Sequence, residues 1–304
     1  MPQLTQPVWF IADATTGLAA ALAEAVLASG QHAVLAARDP QRLSGLAARH
    51  PESALVLALD VTDAAAIEAA VAAAERHWGR IDVLATSTAQ HYPGAIEEGE
   101  IAAMRALFDE NVFGPLNLAR RVLPGMRARR AGHIVMLTRA AAPAPAFEGF
   151  GHAARSALEA LAEALFYEVE PLGIGVTLVD PGSGDAAAAD GAAGAPRAIA
   201  DYDVRAHRSA RPAGAAPVDA VRAAQAVMQA VAAGRGPLRL VLGRAALQRA
   251  YDRLRVLKVG FDAWADLAAS ADVPDPRVRP AGTAAPAPAR VRRAGARGRV
   301  QPGV

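Results

Sequence analysis

An alternation of two periodicities constrains this chain more than any other feature. From Val8 to Val179, short apolar runs of strand length are separated by stretches in which apolar residues recur at three- and four-residue steps. Residues 8–12 form the first run, 13–17 a turn, and Leu18, Leu22, Val26 and Leu27 the stripe of a helix that Ser29 and Gly30 end. A run over 32–37 follows. The order continues with a helix over 41–49, a strand over 54–59, a helix over 64–78, a strand over 81–85 and a long helical stretch over 101–130. A strand over 133–137, a helix over 153–170 and a strand over 175–179 complete it. Strand and helix in strict turn predict an α/β fold, a doubly wound parallel sheet whose right-handed crossovers set helices on both faces. Its first βαβ unit is of the kind that holds a nucleotide at the helix N-terminus.

Residues 183–216 are rich in Ala, Gly and Asp and predict a lid over the carboxyl ends of the strands. A helix over 218–233, a strand over 238–242 and an amphipathic helix over 245–269 come next. On the last of these, Leu247, Tyr251, Leu254, Leu257 and Phe261 share a face that predicts core or subunit contact. With 304 residues, 53% hydrophobic and 20% charged, the chain is long enough for one large domain over 1–276. Residues 277–304 hold seven arginines and no acidic residue, so of the net +2 the rest of the chain carries −5. That Arg/Pro/Ala-rich tail predicts disorder, and with no aromatic residue between the arginines it does not predict nucleic-acid binding.

Cysteine is absent and the seven histidines show no ligand spacing, so no metal site is expected. No basic segment precedes the first apolar run, which is too short for a signal peptide or a membrane span, so a cytoplasmic protein is expected. The chemistry should lie between Gly132 and Leu165: a strand, a Pro-broken loop over 140–151 and a helix. That stretch offers only Thr138, Arg139, Glu148, His152, Arg155 and Ser156, with no tyrosine.

Six longer motifs carry a resemblance: LAARDPQRLSGL from Leu35, LDVTD from Leu59, GRIDVL from Gly79, FDENVFGPLNLARRVLPGMRARRAGHIV from Phe108, EVEPLGIGVTLVDPG from Glu168 and PLRLVLG from Pro237. In this order, over about residues 7–275, the chain resembles the classical short-chain dehydrogenase/reductase family. The resemblance implies a single Rossmann-type domain, NAD(P)(H), a catalytic Asn, Ser, Tyr and Lys, and dimers or tetramers built through two long helices, here 101–130 and 153–170.

Position by position, the functional set departs from the family. Its first turn, T-G-x-x-x-G-x-G, stands here as ADATTGLA from Ala12, so Gly17 alone matches, with Asp13 and Ala19 replacing glycines. Asp13, Thr15, Gly17 and Leu18 are the phosphate-side candidates, although Asp13 or Thr15 serves equally as a helix cap. Arg38, after the second strand, matches the contact to the 2′-phosphate of NADP(H); the alternative is a surface arginine paired with Asp39. Asp60 matches the adenine contact or is a capping carboxylate, and TSTA from Thr86 replaces the usual N-N-A-G.

On the catalytic side, Asn111 matches the helix-kink asparagine, or satisfies local backbone in a kinked helix. Thr138-Arg139 replaces the usual serine pair. Y-x-x-x-K becomes Gly151 and Arg155, with His152 reached by counting from the strand, and the threonine after P-G is missing. Arg155 remains a candidate ribose contact. His152, with Tyr92 or His91, is the candidate replacement acid; the alternative is that these are loop residues. The family's NADP(H)-dependent oxidoreductase activity is therefore expected to be impaired, leaving a binding or partner-subunit role in a homo-oligomer or a heteromer. The alternative is an active NADP(H)-dependent carbonyl reductase or alcohol dehydrogenase using Asn111, Thr138, His152 and Arg155.

Overall fold

The computed structural model describes residues 6–15, 17–87, 91–138, 148–182, 199, 201–202, 218–234 and 236–273. Arg139, nearly all of the expected lid and the expected tail lie outside them. Along the chain run β1 (Val8–Ala12), α1 (Gly17–Ala28), β2 (His32–Ala37), α2 (Ser44–Arg49), β3 (Ala54–Ala58), α3 (Ala64–Trp78) and β4 (Val83–Ser87). Then come α4 (Ile101–Phe108), α5 (Gly114–Arg129), β5 (Gly132–Leu137), α6 (Gly149–Val169), β6 (Ile174–Asp180), α7 (Ala220–Ala232), β7 (Arg239–Val241), α8 (Arg244–Ala263) and α9 (Ala265–Ala269).

The seven strands form one parallel sheet in the order β3-β2-β1-β4-β5-β6-β7. Successive side chains of a strand point to opposite faces, and β1 divides accordingly. Phe10 and Ala12 join α3, α5 and α6 through Val71, Leu118 and Leu158, whereas Trp9 and Ile11 join α1 and α7 through Leu22 and Val227. Cores on both faces are why the central strands read as unbroken apolar runs rather than alternating ones. Leu22 and Leu118 are fully buried, each contributing roughly 1.5–3 kcal/mol of transfer free energy.

Local chemistry sets the ends. Asp63 caps α3 by accepting the Ala65 N–H at 2.8 Å, and Gly79, at φ 77°, closes that helix in the left-handed region. The stretch expected as one helix over 101–130 is interrupted by a π-turn, Asp109–Phe113. Pro115 has no N–H with which to continue the α ladder onto the Asn111 carbonyl, and the Gly114 N–H reaches back five residues to Asp109 instead. Gly114 also lies against the β3–α3 connection: a Cβ there would stand 2.8 Å from Val61 Cγ2 and 3.0 Å from the Val61 carbonyl. Gly114→Ala is accordingly expected to cost about 1–3 kcal/mol in denaturant unfolding; an unchanged midpoint would mean that Val61 yields freely.

Other boundaries also move. The expected helix over 41–49 is a 3₁₀ turn, Pro40–Leu43, followed by α2. The strand expected at 81–85 begins at Val83, because Asp82 turns its carboxylate to the Val8 N–H at 2.9 Å. α6 begins at Gly149, so Gly151 and His152 belong to its first turn and not to a loop. The amphipathic helix expected over 245–269 breaks at Trp264, and Ala246 alone of α8 is buried, so its apolar stripe is no part of the core. The chain divides into two compact units, Met1–Leu257 and Lys258–Val304. Among the described residues no helix is long and apolar enough to cross a membrane.

Candidate cofactor cleft and catalytic positions

The strand order reverses between β1 and β4, and a parallel sheet opens a crevice at the carboxyl ends of its strands at such a point. A cleft of about 240 Å³ lies there. Asp13 and Thr15 line it from the β1–α1 turn, Arg38 and Arg42 from the segment after β2, Leu59 and Val61 from that after β3, Thr86 and Ser87 from the end of β4 and Glu110 from the π-turn.

Asp13 sits at φ 55°, the left-handed region in which glycine is free and another residue gives up roughly 1–2 kcal/mol. Burial is the main cause that lifts its carboxyl above the ordinary range; the Thr15 hydroxyl, donating to Oδ1 at 3.3 Å, pulls the other way, and Glu110 adds to the rise against Arg38 and Arg42. Gly17, at φ 57°, starts α1. Leu18 and Ala19 are buried in the core on that face.

Arg38 does not pair with Asp39. Its Nε lies 3.2 Å from Asp60 Oδ2 and an Nη 3.0 Å from Glu110 Oε1, while Asp39 accepts the Gln41 N–H at 3.1 Å as the cap of the 3₁₀ turn. Asp60 is committed as well. Its Oδ1 accepts the Thr62 hydroxyl at 2.7 Å and the Thr62 N–H at 2.9 Å, and these bonds, helped by Arg38, hold its carboxyl below the ordinary range. The Thr86 hydroxyl is 1% exposed and has no hydrogen-bond partner among the described residues, leaving a polar atom that a ligand could satisfy. The cleft thus suits the nucleoside part of a dinucleotide, with apolar walls, Arg38 and Arg42. Asp13 and Glu110 oppose its phosphates.

The other catalytic candidates lie toward β5 and α6, and the π-turn packs on α6 through Val112, Phe150 and Ala154. Asn111 is buried in the π-turn, where the family's kink was expected. Thr138 follows β5 with its N–H on the Val179 carbonyl at 2.9 Å; its hydroxyl is buried and has no hydrogen-bond partner among the described residues. Gly151 is buried in the first turn of α6, and a Cβ there would meet nothing nearer than Glu148 Oε2 at 3.9 Å. His152 and Arg155 are half-buried on α6. Burial, then the charges of Arg155 and Arg253, push the His152 imidazole below its ordinary value, and only Glu159 opposes them. The Tyr92 ring is 5.7 Å from that of Phe150 in a small apolar cluster, and its hydroxyl accepts the Glu100 N–H at 3.2 Å.

Sequence reasoning missed three residues. Glu110, one position before Asn111, turns into the cleft because the π-turn rotates it there. Arg42 lines the same cleft from the 3₁₀ turn. Glu98 is 5% exposed and accepts the N–H groups of Ala95 at 2.9 Å and Ile199 at 2.8 Å, while the Tyr202 hydroxyl donates to Glu97 at 2.9 Å. The described residues between 199 and 202 are thereby held to the 96–98 turn. Only the spacing of Ala95 and Glu98, that of a turn cap, hinted at this.

Residues 7–193 match the short chain dehydrogenase family. Oxidoreductase BOA17 of Botryotinia fuckeliana (strain B05.10) is 27% identical over 267 residues, which span 86% of this chain and 97% of that protein. A short-chain dehydrogenase from Streptomyces avermitilis superimposes with a TM-score of 0.81 at 32% identity, covering 89% of this chain and all of the other. A metagenomic short-chain oxidoreductase solved with NADP is similar in fold, with a TM-score of 0.61 at 23% identity over 78% of this chain and 96% of its own. The sheet order, the cleft at its switch point and the match over residues 7–193 agree, and the chain belongs to the short-chain dehydrogenase family.

Proposed function

We propose that this protein holds a nicotinamide dinucleotide, NADP(H) in preference to NAD(H), in the β1–β4 cleft, and that its hydride-transfer chemistry is severely weakened, leaving a binding or partner-subunit role. The observation that carries the second half is Gly151. When bound, the cofactor supplies a hydride to a carbonyl carbon, and a positioned acid must protonate the oxygen. No tyrosine replaces the missing one. Of the four in the chain, Tyr92 packs on Phe150 in a small apolar cluster before α4, Tyr202 donates to Glu97, and Tyr167 and Tyr251 are exposed on α6 and α8. Losing such an acid removes about 10²–10⁴-fold in rate, roughly 3–5 kcal/mol.

The reading of an active carbonyl reductase or alcohol dehydrogenase finds support in the buried Nδ1 of His152, which has no hydrogen-bond partner among the described residues. It is disfavoured because burial and the charges of Arg155 and Arg253 work against the protonated imidazole that would serve as the acid. Association through α5 and α6, with a second copy or a related chain, belongs to the same proposal.

Preference for NADP(H) rests on Arg38. Calorimetric titration of the full chain is expected to show tighter binding of NADPH than of NADH, and Arg38→Ala to cut that preference about 10–100-fold, the worth of a charged hydrogen bond. A preference that survives Arg38→Ala would move the 2′-phosphate contact elsewhere.

A further inference from the structure

We propose that Asp13 makes nucleotide entry proton-linked: the phosphates of a dinucleotide settle in the β1–β4 cleft only as Asp13 takes up a proton. This rests on the cleft being the nucleotide site and adds a control that the family's glycine cannot provide.

Three observations carry it. Asp13 is the first residue after β1 and holds φ 55°, so the backbone still makes the turn that a glycine would make there, with a carboxylate added. That carboxylate lines the cleft. The groups around it do not neutralise it: Glu110 faces it from the π-turn with the same sign, and Arg38, facing it from the segment after β2, is already bonded to Glu110 and to Asp60. Arg42 from the 3₁₀ turn and the Thr15 hydroxyl from its own turn complete its surroundings. An anion brought in meets a second carboxylate with Arg38 already paired, and protonating Asp13 removes that repulsion while leaving a donor for a phosphate oxygen. Burial already biases this carboxyl toward the protonated form.

The experiment is calorimetric titration of the full chain with NADPH from pH 8 to pH 6, each pH in two buffers of different ionisation enthalpy, on the wild type and on Asp13→Asn. The wild type is expected to bind more tightly as pH falls, by up to about tenfold per unit beyond the slope of Asp13→Asn, and to take up close to one more proton. Asp13→Asn is expected to bind about 10–100-fold more tightly than the wild type at pH 8. Asp13→Gly, which suits the left-handed turn, should behave as Asp13→Asn does and guards against a folding defect in the latter. Equal slopes and equal proton uptake in wild type and Asp13→Asn would overturn the role of Asp13 while the cleft reading stood. Absence of binding in all three proteins, each shown folded, at every pH would overturn the cleft reading and this inference with it.

Discussion

Gly151→Tyr combined with Arg155→Lys is expected to raise NADPH-dependent carbonyl reduction about 10²–10⁴-fold above the wild type, the range a positioned general acid contributes. A Cβ at Gly151 meets only Glu148 Oε2 at 3.9 Å, and positions 151 and 155, four apart on α6, lie one above the other on the same face. Tyrosine there would protonate the substrate oxygen, and lysine one turn on would lower its pKa and hold the ribose. Glycine in the first turn of α6 is also a weak helix former, so the exchange should not weaken the helix. Thr138 already places a buried hydroxyl at the end of β5, and Asn111 is in its π-turn. A folded double variant that binds NADPH yet turns over no faster than the wild type would locate the defect elsewhere, first in the missing threonine after Pro181-Gly182.

A second large effect is expected in acid. His133 is 3% exposed within β5, donating to or accepting from Thr177 Oγ1 at 2.9 Å, and burial pushes its imidazole from 6.5 down to about 4. Its ring fills the space above Gly175, where a Cβ would stand 2.5 Å from Nδ1. Above pH 6.5 the imidazole is neutral in both the folded and the unfolded chain and adds no pH dependence. Below it the unfolded chain binds a proton that the folded chain excludes, so stability falls until the folded group titrates near pH 4. The loss over that window is roughly 3 kcal/mol. Denaturant unfolding from pH 8 to pH 4 should show it, and His133→Gln should lose that much less over the same interval. His32 and His152 are shifted the same way and are common to both proteins, so they cancel in the comparison. Matching acid limbs would mean that His133 is hydrated or charged in the folded protein.

The sheet was legible because its central strands are buried on both faces and leave unbroken apolar runs. The bounds of α3 read from the sequence, 64–78, also hold, because the capping of that helix by Asp63 and Gly79 is local in the chain. What resisted reading depended on contacts between distant parts of the chain. The start of α6 at Gly149 follows from Phe150 packing on Tyr92, more than fifty residues earlier. Arg38 lies beside Asp39 in sequence, yet its partners Asp60 and Glu110 come from the segment after β3 and from the π-turn, which the fold brings together. The π-turn was foreshadowed by Pro115, whose missing N–H is visible in the sequence, although its effect on Glu110 is not. The residue at position 13 was plain in the sequence; its left-handed φ of 55° was not.

The most direct test of weakened chemistry on a retained scaffold is the rate of NADPH oxidation by the full chain against a panel of aldehydes and ketones, at cofactor concentrations where calorimetry shows the cleft filled. Oxidation is expected to run about 10²–10⁴-fold below the ordinary enzymatic range. Turnover in the ordinary enzymatic range, about 1–10³ per second, would contradict it and show that a site without the tyrosine still delivers a proton.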